Sequence, residues 1–111
     1  MRMNSEPDPE GRLDIGGLEF EWHPKKAEAN LKKHKVSFEE ARTIFGDPNV
    51  LVVPDMVHSV GEERSLAIGR SEAGRLLIIC LTERGDRLRI ISARLAERWE
   101  RREYENANEQ E

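Results

Sequence analysis

The spacing of hydrophobic and polar positions changes several times along the chain, and each change predicts an element. "LEFEW" (residues 18–22) alternates apolar and acidic residues, which predicts a short first strand with Leu18, Phe20 and Trp22 inward. From Pro24 the pattern is helical: Ala27, Leu31 and His34 recur at spacings of four and three and share one face. Lys25, Lys26, Lys32, Lys33 and Lys35 fill much of the rest of that segment. Pro24 suits a first helical turn, where its missing N–H has no intrahelical bond to lose. Ser37 with Glu40 three residues on gives the S-x-x-E capping pattern of a second helix. Phe38, Ala41 and Phe45 form its apolar stripe with Ile44 beside it, and Gly46, Asp47 and Pro48 end it.

Strand-like runs follow. "VLVVP" (50–54) and "RSLAIGRS" (64–71) flank a loop over 55–61, and "RLLIICLT" (75–82) and "RLRIISA" (87–93) form a hairpin over Gly85-Asp86, where glycine supplies the positive φ of a tight turn. A helix is expected from about Ala93, with Leu95 and Trp99 one turn apart and an outer part of charges and amides. The order is β-α-α-β-β-β-β-α, and short links between consecutive strands predict antiparallel pairing. The expected fold class is α+β: a small antiparallel sheet of about four to five strands, two N-terminal helices on one face, and a C-terminal helix. Residues 1–17, rich in Pro, Gly and acids, are expected to be a flexible acidic tail, 18–105 a single domain, and 106–111 a disordered tail.

A length of 111 residues suits one modest core. Hydrophobic residues at 37% and charged residues at 36% imply a compact fold with a heavily charged surface. The longest apolar run, Leu76–Leu81, makes a buried strand and is far too short to span a membrane. No secretion signal opens the chain, so a cytoplasmic protein is expected. The one cysteine, Cys80, lies inside that run and is expected to be a buried hydrophobe. The net charge of −4 is unevenly spread: residues 1–17 hold two basic and four acidic groups, residues 98–111 three and five, and the body between holds 13 of each. An acidic total therefore does not exclude a polyanionic partner, because binding follows local field.

From Phe20 to Tyr104 the chain reads "FEW-P-KA--N--KH-VSFEEA---F-D", then "D--HS--EER---IG-S--GRLL", then "TERGDRLRIISAR-A---ER--Y". In that order and spacing it resembles the BrnT family, the toxin half of bacterial type II toxin–antitoxin pairs. The resemblance implies a RelE-like fold and a metal-independent endoribonuclease, without cofactor, that cleaves mRNA by 2′-OH attack and inhibits translation. It also implies a BrnA-type ribbon-helix-helix antitoxin that neutralises the toxin, contact with DNA only through that antitoxin, repression of the operon by the complex, and an assembly compatible with a dimer of heterodimers. Two positions depart from the family pattern. His23 stands where Asp is common, which removes a good helix N-cap, and Lys35 stands where glycine would suit a left-handed turn. A rival reading from another class is a non-catalytic binding module, a corepressor that only binds an antitoxin–DNA complex.

Metal-free RNA cleavage needs a base for the 2′-OH, cations for the developing charge, and an acid at the leaving oxygen. His23, His34 and His58 are far apart and lack ligand spacing, so no metal site is expected, and no P-loop, dinucleotide turn or nucleophile elbow is present. Arginine suits phosphate, since its planar fork donates two hydrogen bonds and stays charged, which also makes it a poor base. Arg64, Arg84 and Arg94 are the candidate charge stabilisers. His34 and His58 are candidate proton carriers, although His34 equally suits a helix end. Lys33, Arg87, Arg89 and Tyr104 are candidate RNA contacts, with solvated surface charge or antitoxin contact the alternative for Arg87 and Arg89, and a helix facing solvent or antitoxin the alternative for Tyr104. Glu62 and Glu63 flank Arg64, and Glu63 is the candidate that orients it. Regular pleating puts Leu88, Ile90, Ser92 and Arg94 on one face and Arg87, Arg89, Ile91 and Ala93 on the other, so Arg89 and Arg94 cannot meet one phosphate unless a bulge or the helix start re-aims Arg94. Trp22 is expected in the core, with base stacking a minor alternative.

Overall fold

The computed structural model describes residues 17–59 and 61–109. The expected N-terminal tail lies outside the described residues except for Gly17, as do residues 110 and 111. Five strands form one sheet: β1 (Phe20–Glu21), β2 (Leu51–Pro54), β3 (Ser65–Arg70), β4 (Leu76–Arg84) and β5 (Arg87–Leu95), in the order β1-β5-β4-β3-β2. Strands β2 to β5 are an antiparallel meander. β1 joins β5 in parallel, Phe20 beside Leu88 and Glu21 beside Arg89, so the sheet is mixed rather than wholly antiparallel. The reason is topological: the chain leaves β1 through two helices before it reaches the meander.

Those helices are α1 (Pro24–His34) and α2 (Phe38–Arg42), the latter tightening into a 3₁₀ turn over Thr43–Gly46. They cover one face of the sheet, where Phe20, Val36, Phe38, Ala41, Ile44, Ala67, Leu77, Ile79, Leu81, Ile90 and Ala93 make the main core. Trp22 packs on this core edge-on to Phe38, with ring centroids 5.8 Å apart. Asn30 stitches α1 to the sheet: its amide donates to the carbonyls of Val36 and Ala93 at 2.9 and 2.8 Å and accepts from the Ala93 amide at 3.1 Å. Buried in this way, it satisfies the edge of β5 beyond the short β1.

The caps differ from expectation in an instructive way. His23 does cap α1, its Nδ1 accepting from the Lys25 amide at 3.1 Å, so an imidazole fills the role expected of a carboxylate. Lys35 does take the left-handed conformation, at φ 61° and ψ 31°. Ser37 caps α2 through the Glu40 amide at 3.0 Å, but the Glu40 carboxylate does not close the box. It accepts instead from Arg75 Nε at 3.0 Å and Ser71 Oγ at 2.7 Å, tying α2 to the β3–β4 turn.

α3 (Arg98–Glu109) lies on the opposite face, over Ile68, Leu76, Ile78 and its own Tyr104. It begins later than expected because β5 runs on to Leu95: Arg94 pairs with Ile78, and the Ala96 amide still donates to Leu76. It also continues to Glu109, into the stretch expected to be a tail. Tyr104 was a candidate RNA contact, and the structure puts it elsewhere. It is 6% exposed, its hydroxyl donates to Asp47 at 2.6 Å, and Arg70 lies over its ring. Burial, reinforced by that bond to Asp47, pushes its pKa up to about 12.

The pairing of β4 with β5 contains the feature that decides the site. Cys80 pairs with Ser92 and Leu81 with Ile90, so Ile91 is an extra residue in a bulge. Ile90 and Ala93 consequently both face the main core. Arg89 and Arg94, on opposite faces of a regular strand, come to the same face, the one that α3 only partly covers.

Candidate active site

The part of that face left open by α3 is a cleft of about 380 Å³. Its lining draws on every antiparallel strand or the turn that leads into it: Asp55, Val57 and His58 after β2, Arg64 and Leu66 at β3, Ile78 and Cys80 on β4, Ile91, Ser92 and Arg94 on β5, and Trp99 and Glu100 on α3. Three of the five candidate catalytic residues, His58, Arg64 and Arg94, thus meet in one place.

His58 sits in a loop held by its own backbone. Asp55 N–H donates to the Arg64 carbonyl at 2.8 Å, Ser59 Oγ donates to the Asp55 carbonyl at 2.6 Å, and the Arg64 amide donates to Ser59 Oγ at 3.0 Å. This knot fixes His58 beside Arg64. The His58 ring is 64% exposed, while its partner Asp55 is 4% exposed, and Nδ1 lies 2.9 Å from Asp55 Oδ2. An ionised carboxylate only accepts, so Nδ1 carries the proton and Nε2 presents a lone pair to the cleft. Burial works against the charge of Asp55, but the His58 ring and the amides of His58 and Val57 outweigh it and hold its carboxyl below the usual carboxylate value. Cys80 is buried behind the pair, its Sγ 3.8 Å from Asp55 Oδ2, and burial pushes its thiol up, away from thiolate chemistry.

The two arginines are held differently. Arg94 is clamped in a fork by Glu100, Nη1 to Oε1 at 2.8 Å and Nη2 to Oε2 at 2.7 Å. Glu100 also accepts the Glu97 amide at 2.7 Å, closing the N-terminal turn of α3. Burial opposes the Glu100 charge, yet Arg94 and the Glu97 amide leave its pKa below the ordinary value, and Glu100 in turn raises that of Arg94. Arg64 is freer. Glu62 stands 3.5 Å from its Nε, and that buried nitrogen has no hydrogen-bond partner among the described residues. The acids of the cleft, Asp55 and Glu100, are buried, while Arg64 and Arg94 remain about one-third exposed. Solvent therefore meets the cations first.

The remaining candidates lie outside the cleft. His34 and Lys33 line a shallower depression with Lys26 and Asn30, which adjoins the cleft through the shared Ile91 and Ser92. Arg84 lines a separate hollow at the far end of the sheet with Glu62, Glu63 and Glu83. Glu63 faces that hollow rather than the cleft, and its carbonyl accepts from Thr82, so Glu62 is the acid beside Arg64. Arg87 and Arg89 are ion-paired with β1 and the residue before it: Arg87 with Glu19 and Glu21 at 3.5 Å, Arg89 with Glu21 at 3.2 Å. Among the described residues, no three His, Cys, Asp or Glu side chains come close enough together to hold a metal ion. No described helix is long and apolar enough to cross a membrane.

Asp55 and Glu100 were not singled out from sequence. Asp55 stands three residues before His58 at the end of a strand, and Glu100 three residues after the first residue of a capping turn, spacings that place a carboxylate beside its partner.

The sequence pattern of the ribonuclease toxin BrnT of type II toxin–antitoxin systems matches residues 22–100. In structure the chain is similar to the Brucella abortus ribonuclease toxin BrnT, with a TM-score of 0.55 and 22% identity over 69% of this chain and 94% of that one. That likeness concerns the fold. No curated protein matches the chain significantly by sequence. The family match runs from Trp22, just after β1, to the first turn of α3 and takes in Asp55, His58, Arg64, Arg94 and Glu100; the chain belongs to the BrnT family of ribonuclease toxins of type II toxin–antitoxin systems.

Proposed function

We propose that this toxin is a metal-independent endoribonuclease that cleaves mRNA in the Asp55–His58–Arg64–Arg94 cleft and so inhibits translation. His58 Nε2 takes the proton of a 2′-hydroxyl, whose oxygen attacks the adjacent phosphorus. The bond from phosphorus to the 5′-oxygen breaks, and that oxygen leaves with a proton returned by the imidazolium or by water. The products are a 2′,3′-cyclic phosphate and a 5′-hydroxyl. Arg64 and Arg94 carry the charge that builds on the phosphorane oxygens, Arg64 through its unspent donors and Arg94 through the edge that Glu100 leaves free. Flanking phosphates follow the depression over Ile91 and Ser92 toward Lys26, Lys33 and His34.

The observation that supports this most is the exposed ring of His58, its Nδ1 held by buried Asp55, in a cleft with two guanidinium groups. In this reading a cognate ribbon-helix-helix antitoxin covers the cleft, and the complex represses its operon. Purified protein incubated with mRNA in EDTA is expected to release cyclic-phosphate ends. Controlled expression in bacteria is expected to arrest growth, with Arg94→Ala relieving the arrest while still binding antitoxin. Intact RNA and harmless expression of the wild type would instead leave a corepressor that acts only through the antitoxin.

A further inference from the structure

We infer that Trp99 is a nucleobase platform, the subsite that holds a base next to the scissile phosphate. This rests on the ribonuclease reading above. Trp99 lies in the first turn of α3 and lines the cleft with His58, Arg64 and Arg94, yet it is 61% exposed. A ring of this size left in water at a cationic cleft is a surface waiting for a flat apolar partner.

Its position is fixed by the same bonds that aim Arg94. The indole Nε1–H donates to the Glu97 carboxylate at 3.1 Å, the Glu97 amide donates to Glu100, and Glu100 clamps Arg94. One helical turn therefore sets the offset between a phosphate-holding fork and an aromatic face. That offset suits a nucleotide, in which phosphate and base are covalently spaced. Val57, on the loop that carries His58, is the other strongly exposed apolar side chain of the cleft and gives the base a second wall. The two guanidinium groups call for a polyanion, and among polyanions a nucleic acid also brings π-faces. Stacking of this kind tolerates any base, since each has such a face.

The test uses an oligoribonucleotide carrying a 2′-deoxy substitution at the cleavage position, so that it binds without being cut, and reads affinity by fluorescence anisotropy. Trp99→Ala is expected to weaken binding about 5- to 100-fold, and Trp99→Phe to restore most of it. An abasic nucleotide beside the cleavage position is expected to weaken wild-type binding by a similar factor and to have no further effect on Trp99→Ala. Equal melting temperatures of the variants check that the fold is intact. Unchanged affinity of Trp99→Ala, or an abasic penalty that persists in it, overturns the inference. Loss of antitoxin affinity with RNA affinity unchanged also overturns it and assigns the ring to the protein partner. If the wild type leaves RNA uncut, the ribonuclease reading falls and takes this one with it. If the wild type cuts and Trp99→Ala binds and cuts equally well, only the platform falls.

Discussion

In Asp55→Asn the side chain keeps its shape and loses its charge. Asp55 Oδ1 accepts from the amides of Val57 and His58, both at 3.3 Å, while Oδ2 faces His58 Nδ1 at 2.9 Å. An asparagine that keeps its carbonyl on the two amides turns its NH₂ toward the ring. That nitrogen only donates, so His58 must accept through Nδ1 and carry its proton on Nε2. The lone pair that would take the 2′-OH proton is gone. A positioned base contributes roughly 10²- to 10⁴-fold, so kcat is expected to fall by that factor, with KM little changed because the arginines are untouched. Loss of the charge-assisted bonds costs about 1.5–3 kcal/mol of stability, so rates must be read well below the lowered melting temperature. The assay is single-turnover cleavage of a labelled RNA by wild type, Asp55→Asn, His58→Ala and the double variant. If Asp55 acts through His58, the double variant cleaves no more slowly than His58→Ala alone. A kcat of Asp55→Asn within about threefold of wild type, or fully additive losses in the double variant, refutes this chain of reasoning.

Glu100→Gln keeps the volume of the clamp but not its charge; kcat/KM is expected to drop at least about tenfold as Arg94 loses its aim, with roughly 1–3 kcal/mol lost in urea denaturation. Lys35→Gly removes the strain of a left-handed lysine and is expected to add about 1 kcal/mol, read as a higher denaturation midpoint at unchanged slope. Glu40, Asp47, Asp55 and Glu100 all have folded pKa values below their ordinary ones, so their contribution is complete above about pH 4 and fades as pH falls through the folded values; midpoints measured from pH 7 down to 3 should trace this loss. Tyr104 is the opposite case. Its folded pKa, pushed up to about 12, exceeds the ordinary value near 10, so its contribution is complete below about pH 10 and lost as pH rises toward 12. Tyr104→Phe should remove that alkaline limb.

Most elements were legible because their signals are local. The inward alternation of Phe20 and Trp22, the cap at Ser37 and the turn at Gly85-Asp86 each depend on residues within a few positions of one another, and the structure keeps them, although the strand itself shortens to Phe20–Glu21. What the sequence hid depends on pairing between distant segments. β1 could not be assigned a partner, and its parallel contact with β5 is made across more than sixty residues. The Ile91 bulge is invisible in a strand whose apolar pattern reads equally well in either register. Glu40 fits a capping box locally, yet Arg75, 35 residues on, offers it a stronger charged bond. Of the candidate site, the residue types were legible and the grouping was not: His58, Arg64 and Arg94 meet, while His34, Lys33 and Arg84 line other hollows and Tyr104 serves the second core.

The arginines of an acidic chain are sorted by how much of each guanidinium its glutamate consumes. Arg87 and Arg89 share Glu21 across the β1–β5 pair, where they neutralise a sheet edge. Arg75 is spent on Glu40 and the Lys35 carbonyl, a tie between layers. Arg94 gives both terminal nitrogens to Glu100 and also donates from Nη1 to the Leu95 carbonyl at 3.1 Å, which leaves its Nε edge for a second anion. Of the two cleft arginines Arg64 is the less spent, with its acid 3.5 Å away and a buried Nε that nothing described accepts from. A buried donor without a partner costs stability, by about 1–3 kcal/mol, and that cost is recovered when an anion arrives. The ordering gives Arg64 the larger share in binding the phosphate and Arg94 the larger share in fixing its orientation. It follows that Arg64→Ala should weaken RNA binding more than Arg94→Ala while destabilising the fold less, since of the two arginines Arg94 is the one bonded to α3, through Glu100.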